Sequence, residues 1–429
     1  MTLNRTAQPP IKPFGELSMP MPVIHRLPNG AQLYIVDKGD QDVCRIDFLF
    51  DGGRYDTSNP AIADLTGAML RKGTPNMDSD DIAEHLDYHG AWLQTATTQH
   101  FSTLSLFSLN RNLDKILPVV VDMITAPTMP QKHLDILRRQ RIQQLQINRE
   151  KVRNLAGEAF NKLIFGAQHP YARIVTESNL EDIEVEHLRQ YHTNNILNTG
   201  THILLSGHIT SQVAHLVTDS LSQLPAKPST NNITIEPFAP DSQRKAFIHK
   251  AGALQSGIRI GMPVIGSRHP DYPYLSMLNL ILGGYFGSRL MSNIREEKGY
   301  TYGISSHIVS TRNDAYFTII TETGTEYTQP LIDEVYKEMQ RLCDEPIPDD
   351  ELETARNYLQ GQRARALDSP FSMSDYFLSS IVADNPIDFF NSENRTIRNA
   401  TAHDLLRVAR TYLQPHNLYI AVAGDKTVE

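Results

Sequence analysis

Apolar residues follow two spacings along this chain, and segments of each kind come in the same order twice. Residues 43–50 read VCRIDFLF, a β-rich run bounded by polar residues that predicts a strand. Ile62, Leu65 and Met69 then share one helical face. Residues 110–124 and 130–152 predict two long helices, separated where Pro127 stops one and Pro130 starts the next. In the second half, Tyr274 to Leu282 predicts a helix ending at Gly283-Gly284. Ser288 is placed to cap a short helix through Lys298, with Gly299 at its C-terminal end. Tyr300 to Ser310 and Ala315 to Thr321 predict a hairpin, and Asp349 the cap of another long helix. Strands and helices mix without strict alternation, which predicts an α+β class of sandwich domains.

Three landmarks repeat at nearly constant offset. The strand-like run CRIDFLFDGGR ends in Gly53-Arg54, and IRIGMPVIGSR ends in Ser267-Arg268. Pro127 to Pro130 and Pro346 to Pro348 each divide two helical segments. HLRQYHTNNILNTGTHILLSGH is answered by HDLLRVARTYLQPHNLYIAVAGD, with Gly207 matching Gly424. The offsets are about 214, 218 and 217 residues. Three matches in one order imply two copies of one unit. The seam is PAKPSTNNITIEPFAPDSQR, whose Pro, Ser, Thr and Asn content suits a linker. The expected division is therefore an extended, Pro-rich segment 1–22, a first domain 23–224, a linker 225–244 and a second domain 245–429.

Composition narrows the function classes. With 429 residues, 40% hydrophobic and 21% charged, the chain is an ordinary globular protein of two or three domains. A net charge of −9 argues against a general nucleic-acid surface. No apolar run approaches the roughly 20 residues of a membrane span. The first 22 residues lack the apolar core of a signal peptide, and the compartment, periplasmic or cytoplasmic, stays open. Cys44 and Cys343 supply neither a disulfide framework nor zinc-finger spacing, and read as buried thiols.

The run GGRYDTSNPAIADLTGAMLRKGT resembles the start of the active-site helix in the pitrilysin/insulinase family of zinc peptidases, the inverzincins. There a strand ends in Gly-x-Arg and leads to a helix carrying H-x-x-E-H. Positions i, i+3 and i+4 share a face, so two histidines bind zinc and the glutamate activates its water. Those positions here are Asp64, Gly67 and Ala68. A third ligand, a glutamate, is expected in the second long helix, where this chain reads Gln143-Gln144. The frame survives in Gly53, Arg54, Leu70, Lys72, Gly73 and Thr74. Loss of all four functions together implies a degenerate zinc site at Asp64, Gly67, Ala68 and Gln144.

Other histidines offer weaker constellations. His85 and His89 stand at i, i+4, but Tyr88 occupies the glutamate position, and His89 precedes Gly90 at a helix end. Glu186-His187 with His192 has poorer spacing still, and Asp349-Asp350-Glu351 is a helix start.

The second half is similar to the family's C-terminal signature. LNLILGGYFGSRLMSNIREEKGYTYG carries the Gly-Gly turn, the Ser-Arg-Leu helix start and Arg-Glu-x-x-Gly-x-x-Tyr, giving Arg295 and Tyr302. Spacing alone fits an arginine paired with a nearby acid and a tyrosine in a strand. With the signature around them, the resemblance implies that Arg295 contacts a substrate carbonyl and Tyr302 faces the developing oxyanion. YARIVTES after His169-Pro170 also resembles a family segment, so the likeness runs from about residue 23 to 425.

The resemblance is strongest to bacterial two-gene members, in which one subunit carries the zinc motif and the other the Arg/Tyr pair. It implies two homologous α/β-sandwich domains of the mitochondrial-processing-peptidase type. It also implies no metal bound by this chain, zinc in a homologous zinc-motif partner, and a peptide or unfolded-segment substrate. Whether the isolated chain forms a homodimer is left open. The rival readings are a non-catalytic assembly or peptide-binding protein of the same fold, and an independent enzyme with another metal set.

Overall fold

The computed structural model describes residues 15–225 and 235–426. Six strands form a first sheet: β1 (Val23–Arg26), β2 (Gln32–Asp37), β3 (Val43–Phe50), β4 (Trp92–Thr97), β5 (Ser102–Leu109) and β6 (Thr201–Gly207), in the order β1-β2-β6-β3-β5-β4. Five form a second: β7 (Lys245–His249), β8 (Gln255–Val264), β9 (Ile304–Ser310), β10 (Ala315–Gly324) and β11 (Tyr419–Gly424), in the order β7-β11-β8-β10-β9. Apart from the added edge strand β1, the two orders are the same. β2 with β6 and β7 with β11 run parallel, and every other neighbouring pair is antiparallel. The chain is thus two copies of one α+β sandwich.

Period-2 alternation decides which face each strand buries. Cys44, Ile46, Phe48 and Phe50 of β3 point into the first core, and Ile258, Ile260 and Met262 of β8 into the second. Helices Pro60–Met69, Leu113–Thr125 and Ser211–Leu221 cover the first inner face; Tyr272–Asn279, Thr328–Asp344 and Ala402–Tyr412 cover the second.

The opposite faces are covered by exchange. The first copy's helix Val152–Phe165 packs on β7, β8 and β11. The second copy's helix Pro370–Val382 packs on β2 and β6. Glycine makes the first contact close: a Cβ on Gly257 would lie 2.5 Å from the Val152 carbonyl carbon, and one on Gly261 2.8 Å from the Phe160 ring. In the second contact, Met373 and Phe377 join Tyr34, Val36 and Leu204 in one buried cluster. Arg45 donates to Asp47 on its own strand (2.9 Å) and to Asp375 on the visiting helix (2.6 Å).

Some boundaries differ from expectation. The segment expected as one helix over 130–152 is Gln131–Arg149, followed by a break at Glu150-Lys151 and the separate helix Val152–Phe165. Helix 110–124 is Leu113–Thr125. Pro348, not Asp349, occupies the cap of Asp349–Ala366, and Asp349 begins its first turn. Of the expected N-terminal segment, residues 1–14 lie outside the described residues. Met19 reaches the second copy, where its N–H donates to Asn391 at 2.8 Å. Of the expected linker, residues 226–234 lie outside them too. The stretch after it is tied to the exchanged helix by Ala239 N–H to Phe165 and Asp241 N–H to Leu163.

Between the copies, Arg312 from the β9–β10 turn lies over Phe101 and near a buried His100, which hydrogen-bonds Tyr171. Burial, with Arg312 and His169 adding repulsion, pushes the His100 imidazole down to about 4. In the unfolded chain it returns to the ordinary value near 6.5. The folded state therefore holds this histidine neutral, and its stabilisation is complete above pH 6.5 and lost as pH falls from 6.5 toward 4. The expected loss is about 3 kcal/mol at its limit. Urea titrations across that window check it, and His100→Gln should flatten the slope.

Gly257→Val tests the exchange. The added side chain cannot fit against the Val152–Arg153 backbone, so stability should fall by about 1–3 kcal/mol. An unchanged denaturation midpoint would show that the helix does not seat there as described.

Candidate functional site

The first copy places the expected metal position on a tight strand-to-helix turn. After β3, Gly52 and Gly53 run so close to Asn195 and Gln99 that a Cβ at either would lie 2.3–2.4 Å from a carbonyl oxygen. The Asn59 side chain accepts from Ala61 N–H at 3.2 Å and Pro60 takes the first helical position, so Pro60–Met69 starts here. This helix carries Asp64, Gly67 and Ala68.

Asp64 is held in a fork. Arg54 Nε donates at 3.1 Å to both carboxylate oxygens, and Nη2 donates at 2.9 Å to one of them. Asp64 and Gln144 line one cavity of about 160 Å3, with Arg141, Leu65, Leu145 and Val175 in its wall. The fold therefore brings the first and fourth degenerate positions together. Gln144 spends its amide on Asn148 (3.0 Å). Gly67 is buried beside Thr97 of β4, where a Cβ would lie 3.4 Å from the hydroxyl.

These residues do not fit zinc. A zinc site needs three or four of imidazole, thiolate or carboxylate. This one offers a single carboxylate already matched by one arginine, with a second arginine in the wall. No group of three such side chains placed to hold a metal ion occurs among the described residues.

The alternative histidines do other work. His85 and His89 stack edge-on with ring centres 4.7 Å apart, and His85 Nε2 bonds the Lys115 carbonyl (3.1 Å). His187 Nδ1 accepts from Glu184 N–H (3.2 Å), and buried His192 donates to the Ile124 carbonyl (2.7 Å). Cys44 and Cys343 are free and buried, and burial raises their thiols to about 12 and about 11.

In the second copy, the segment after Gly283-Gly284 contains an added residue in its last turns. Met291–Glu297 is π-helical, with Lys298 N–H reaching the Asn293 carbonyl at 3.1 Å. Such turns recur at functional sites because they rotate the exposed face of a helix. This one is pinned from beneath. Ile294 is fully buried, Asn293 donates to Glu334 (3.2 Å) and Glu338 (2.8 Å), and Arg289 grips Glu351 through two bonds of 2.8 and 2.7 Å. Gly299, at φ +65°, turns the chain out, and Thr301 and Thr323 tie it to β10.

On this frame Arg295 and Tyr302 face outward. Tyr302 is 95% exposed, and its hydroxyl has no hydrogen-bond partner among the described residues. Arg295 lies 4.6 Å above the exposed Phe286 ring, with Glu296 at a loose 3.7 Å. Phe286 is a neighbour that the sequence reading did not single out. Its signal was a bulky aromatic in an otherwise Gly- and Ser-rich turn. Neither Arg295 nor Tyr302 lines the Asp64–Gln144 cavity.

The comparisons with known proteins agree with this fold. The profile "Insulinase (Peptidase family M16)" matches residues 35–187, and "Peptidase M16 inactive domain" matches 182–359. The chain belongs to the M16 peptidase family. Curated M16 relatives include the "Uncharacterized zinc protease YmxG" of Bacillus subtilis, 22% identical over 74% of this chain and 77% of its own length. The "Non-peptidase homolog YmxG" of Helicobacter pylori is 22% identical over 88% of each chain. Among solved structures, an M16 inactive domain from Pseudomonas fluorescens superposes with a TM-score of 0.87 at 23% identity, covering 95% of this chain and 99% of its own. A protease from Helicobacter pylori superposes at 0.84 and 18%, covering 94% and 100%. The second half of the chain thus matches the family's inactive domain, and no helix among the described residues is long and apolar enough to cross a membrane.

Metal analysis of the purified protein should find far less than one zinc per chain. One tightly held zinc lost on Asp64→Ala would contradict the reading of the site. Restoring Asp64→His, Gly67→Glu, Ala68→His and Gln144→Glu together should raise the content toward one.

Proposed function

We propose that this chain is the catalytically incomplete subunit of a two-chain zinc peptidase, supplying Arg295 and Tyr302 to the active site of a homologous zinc-bearing partner. The observation that carries this is the contrast between its two copies. The expected metal position offers no ligand set, while on a closely hydrogen-bonded frame Tyr302 stands exposed and Arg295, half-buried, has only Phe286 and a loose Glu296 beside it. A guanidinium keeps its charge at working pH and its fork matches carbonyl oxygens, and a phenol adds one directed donor. Such donors act where charge develops in the transition state.

In this reading four sandwich domains enclose a chamber, two from each chain, with limits in this one at 23–224 and 245–429. A peptide or unfolded segment docks by adding a strand to a sheet edge near the partner's zinc. The names of M16 relatives described as inactive or non-peptidase support the incomplete half of this reading. They are equally compatible with a scaffold or peptide-binding role, though a pure scaffold has no need of the Arg/Tyr pair.

Kinetics of the reconstituted pair test it, with assembly followed separately by size-exclusion chromatography. Tyr302→Phe keeps the ring and should cost about 10²–10³ in turnover. Arg295→Ala should also raise the Michaelis constant, and Arg295→Lys should rescue only in part, because an ammonium lacks the fork. Near-wild-type turnover for both Tyr302→Phe and Arg295→Ala would leave the chain a scaffold.

A further inference from the structure

The outer face of the second sheet carries a cation that no acid among the described residues answers. The visiting helix Val152–Phe165 packs over β7, β8 and β11 on this face, while His307 and Val309 of β9 stay exposed. Arg259 of β8 stands at the boundary between the covered and the open part. It lies directly beside Ile320 of β10, which lies beside Ser305 of β9. Two residues along each strand, Gly261, Thr318 and His307 form the next row on the same face. On the helix above, Gly157 leaves the guanidinium without a side chain over it. A Cβ there would lie 3.7 Å from both Nε and Nη2 and would meet nothing else within 4 Å.

The Arg259 guanidinium is half-buried and makes no hydrogen bond or ion pair among the described residues. Its Nε is sealed from solvent and bonds nothing. In the adjoining row Thr318 is 1% exposed, and its hydroxyl also has no partner. Unmatched buried polar groups are rare in folded proteins, and a half-buried charge without a counter-charge is costlier still. The neighbouring groups do not compensate. Glu322, on the same face, is spent on Arg153 at 2.7 Å. His307 bonds Ser305 at 3.1 Å, and burial, with repulsion from Arg259, holds its imidazole below the usual value. It is therefore neutral at pH 7. Burial also holds the Arg259 pKa below the ordinary arginine value, with Tyr316 opposing and Arg153 adding repulsion.

These groups leave one positive charge over. An acceptor with one negative charge and two oxygens in a plane matches both the charge and the guanidinium fork, and a carboxylate is that group. A phosphate dianion would exceed the charge and face Glu322. Ile320 and Tyr316, both partly exposed, and Val309 border the place with apolar surface. That surface suits an apolar residue next to the carboxylate.

We propose that Arg259 is the receptor for a carboxylate of a bound peptide, laid over the open β9–β10 part of this face. The proposal needs neither a zinc-bearing partner nor Arg295 and Tyr302, so it stands or falls separately from the peptidase reading.

The probes are N-acetylated peptides of one Ser- and Leu-rich sequence, titrated into the full chain by isothermal calorimetry. One ends in a free carboxylate and has no acidic side chain. The second is the same peptide closed as an amide, and the third is that amide with one internal glutamate. Saturable binding is expected for the first, the third or both, at least tenfold tighter than for the neutral amide. Which of them binds tells a chain terminus from an acidic side chain. Arg259→Gln should abolish the preference, and Arg259→Lys should restore it only in part. Thermal melts separate binding from packing: relieved of an unmatched charge, Arg259→Gln should melt no lower than the wild type. Equal binding or no binding by the three peptides, or a preference that survives Arg259→Gln, would overturn the proposal. So would an Arg259→Gln chain that melts well below the wild type, or inorganic phosphate displacing the peptide at a lower concentration than acetate.

Discussion

The exchange of helices between the copies is the constraint on which the rest of the molecule depends. Each sheet buries one face against its own helices and part of the other against a helix from its twin. Neither copy can close its outer face alone. Gly257 and Gly261 show how close the fit is, since both occur where a side chain would meet the visiting helix. Arg45, shared between Asp47 and Asp375, shows that polar groups in the contact are matched across it. The two copies thus behave as one body, and the surfaces they present keep a fixed relation to each other.

On that body the copies have diverged in opposite senses. The first keeps the glycine turn, the arginine and the helix that would aim metal ligands, yet fills the position with an Arg54–Asp64 ion pair. A half-exposed pair of this kind contributes little stability, but it occupies the one carboxylate among the described residues that line the Asp64–Gln144 cavity. The second copy supports a half-buried Arg295 and an exposed Tyr302 with a π-helical turn, an Asn293–Glu334–Glu338 network and several threonine bonds. Rigid support beneath an exposed donor is what preorganisation requires.

Much of this was legible in the chain. The repeated landmarks gave the duplication, because strand alternation and helix-stopping prolines are local signals. The expectation of a degenerate site at Asp64, Gly67, Ala68 and Gln144 rests on the fixed spacing of the family motif, and the structure places Asp64 and Gln144 on one cavity. The break at Glu150-Lys151 was not, since both sides are good helix formers and only packing on the far sheet decides where the chain turns. Nor was the partnership of Arg54 with Asp64, ten residues apart across a turn, or of Arg295 with Phe286. His100 beside Tyr171 and Arg312 joins three distant segments, and no periodicity connects them.

The central claim is that Tyr302 stands at a partner's metal. The most direct measurement places 3-fluorotyrosine at position 302, adds a zinc-motif partner loaded with cobalt(II), and follows the 19F signal. The account predicts strong paramagnetic broadening on complex formation, absent with a zinc-loaded partner. A signal equally sharp with cobalt and zinc in an intact complex would contradict it.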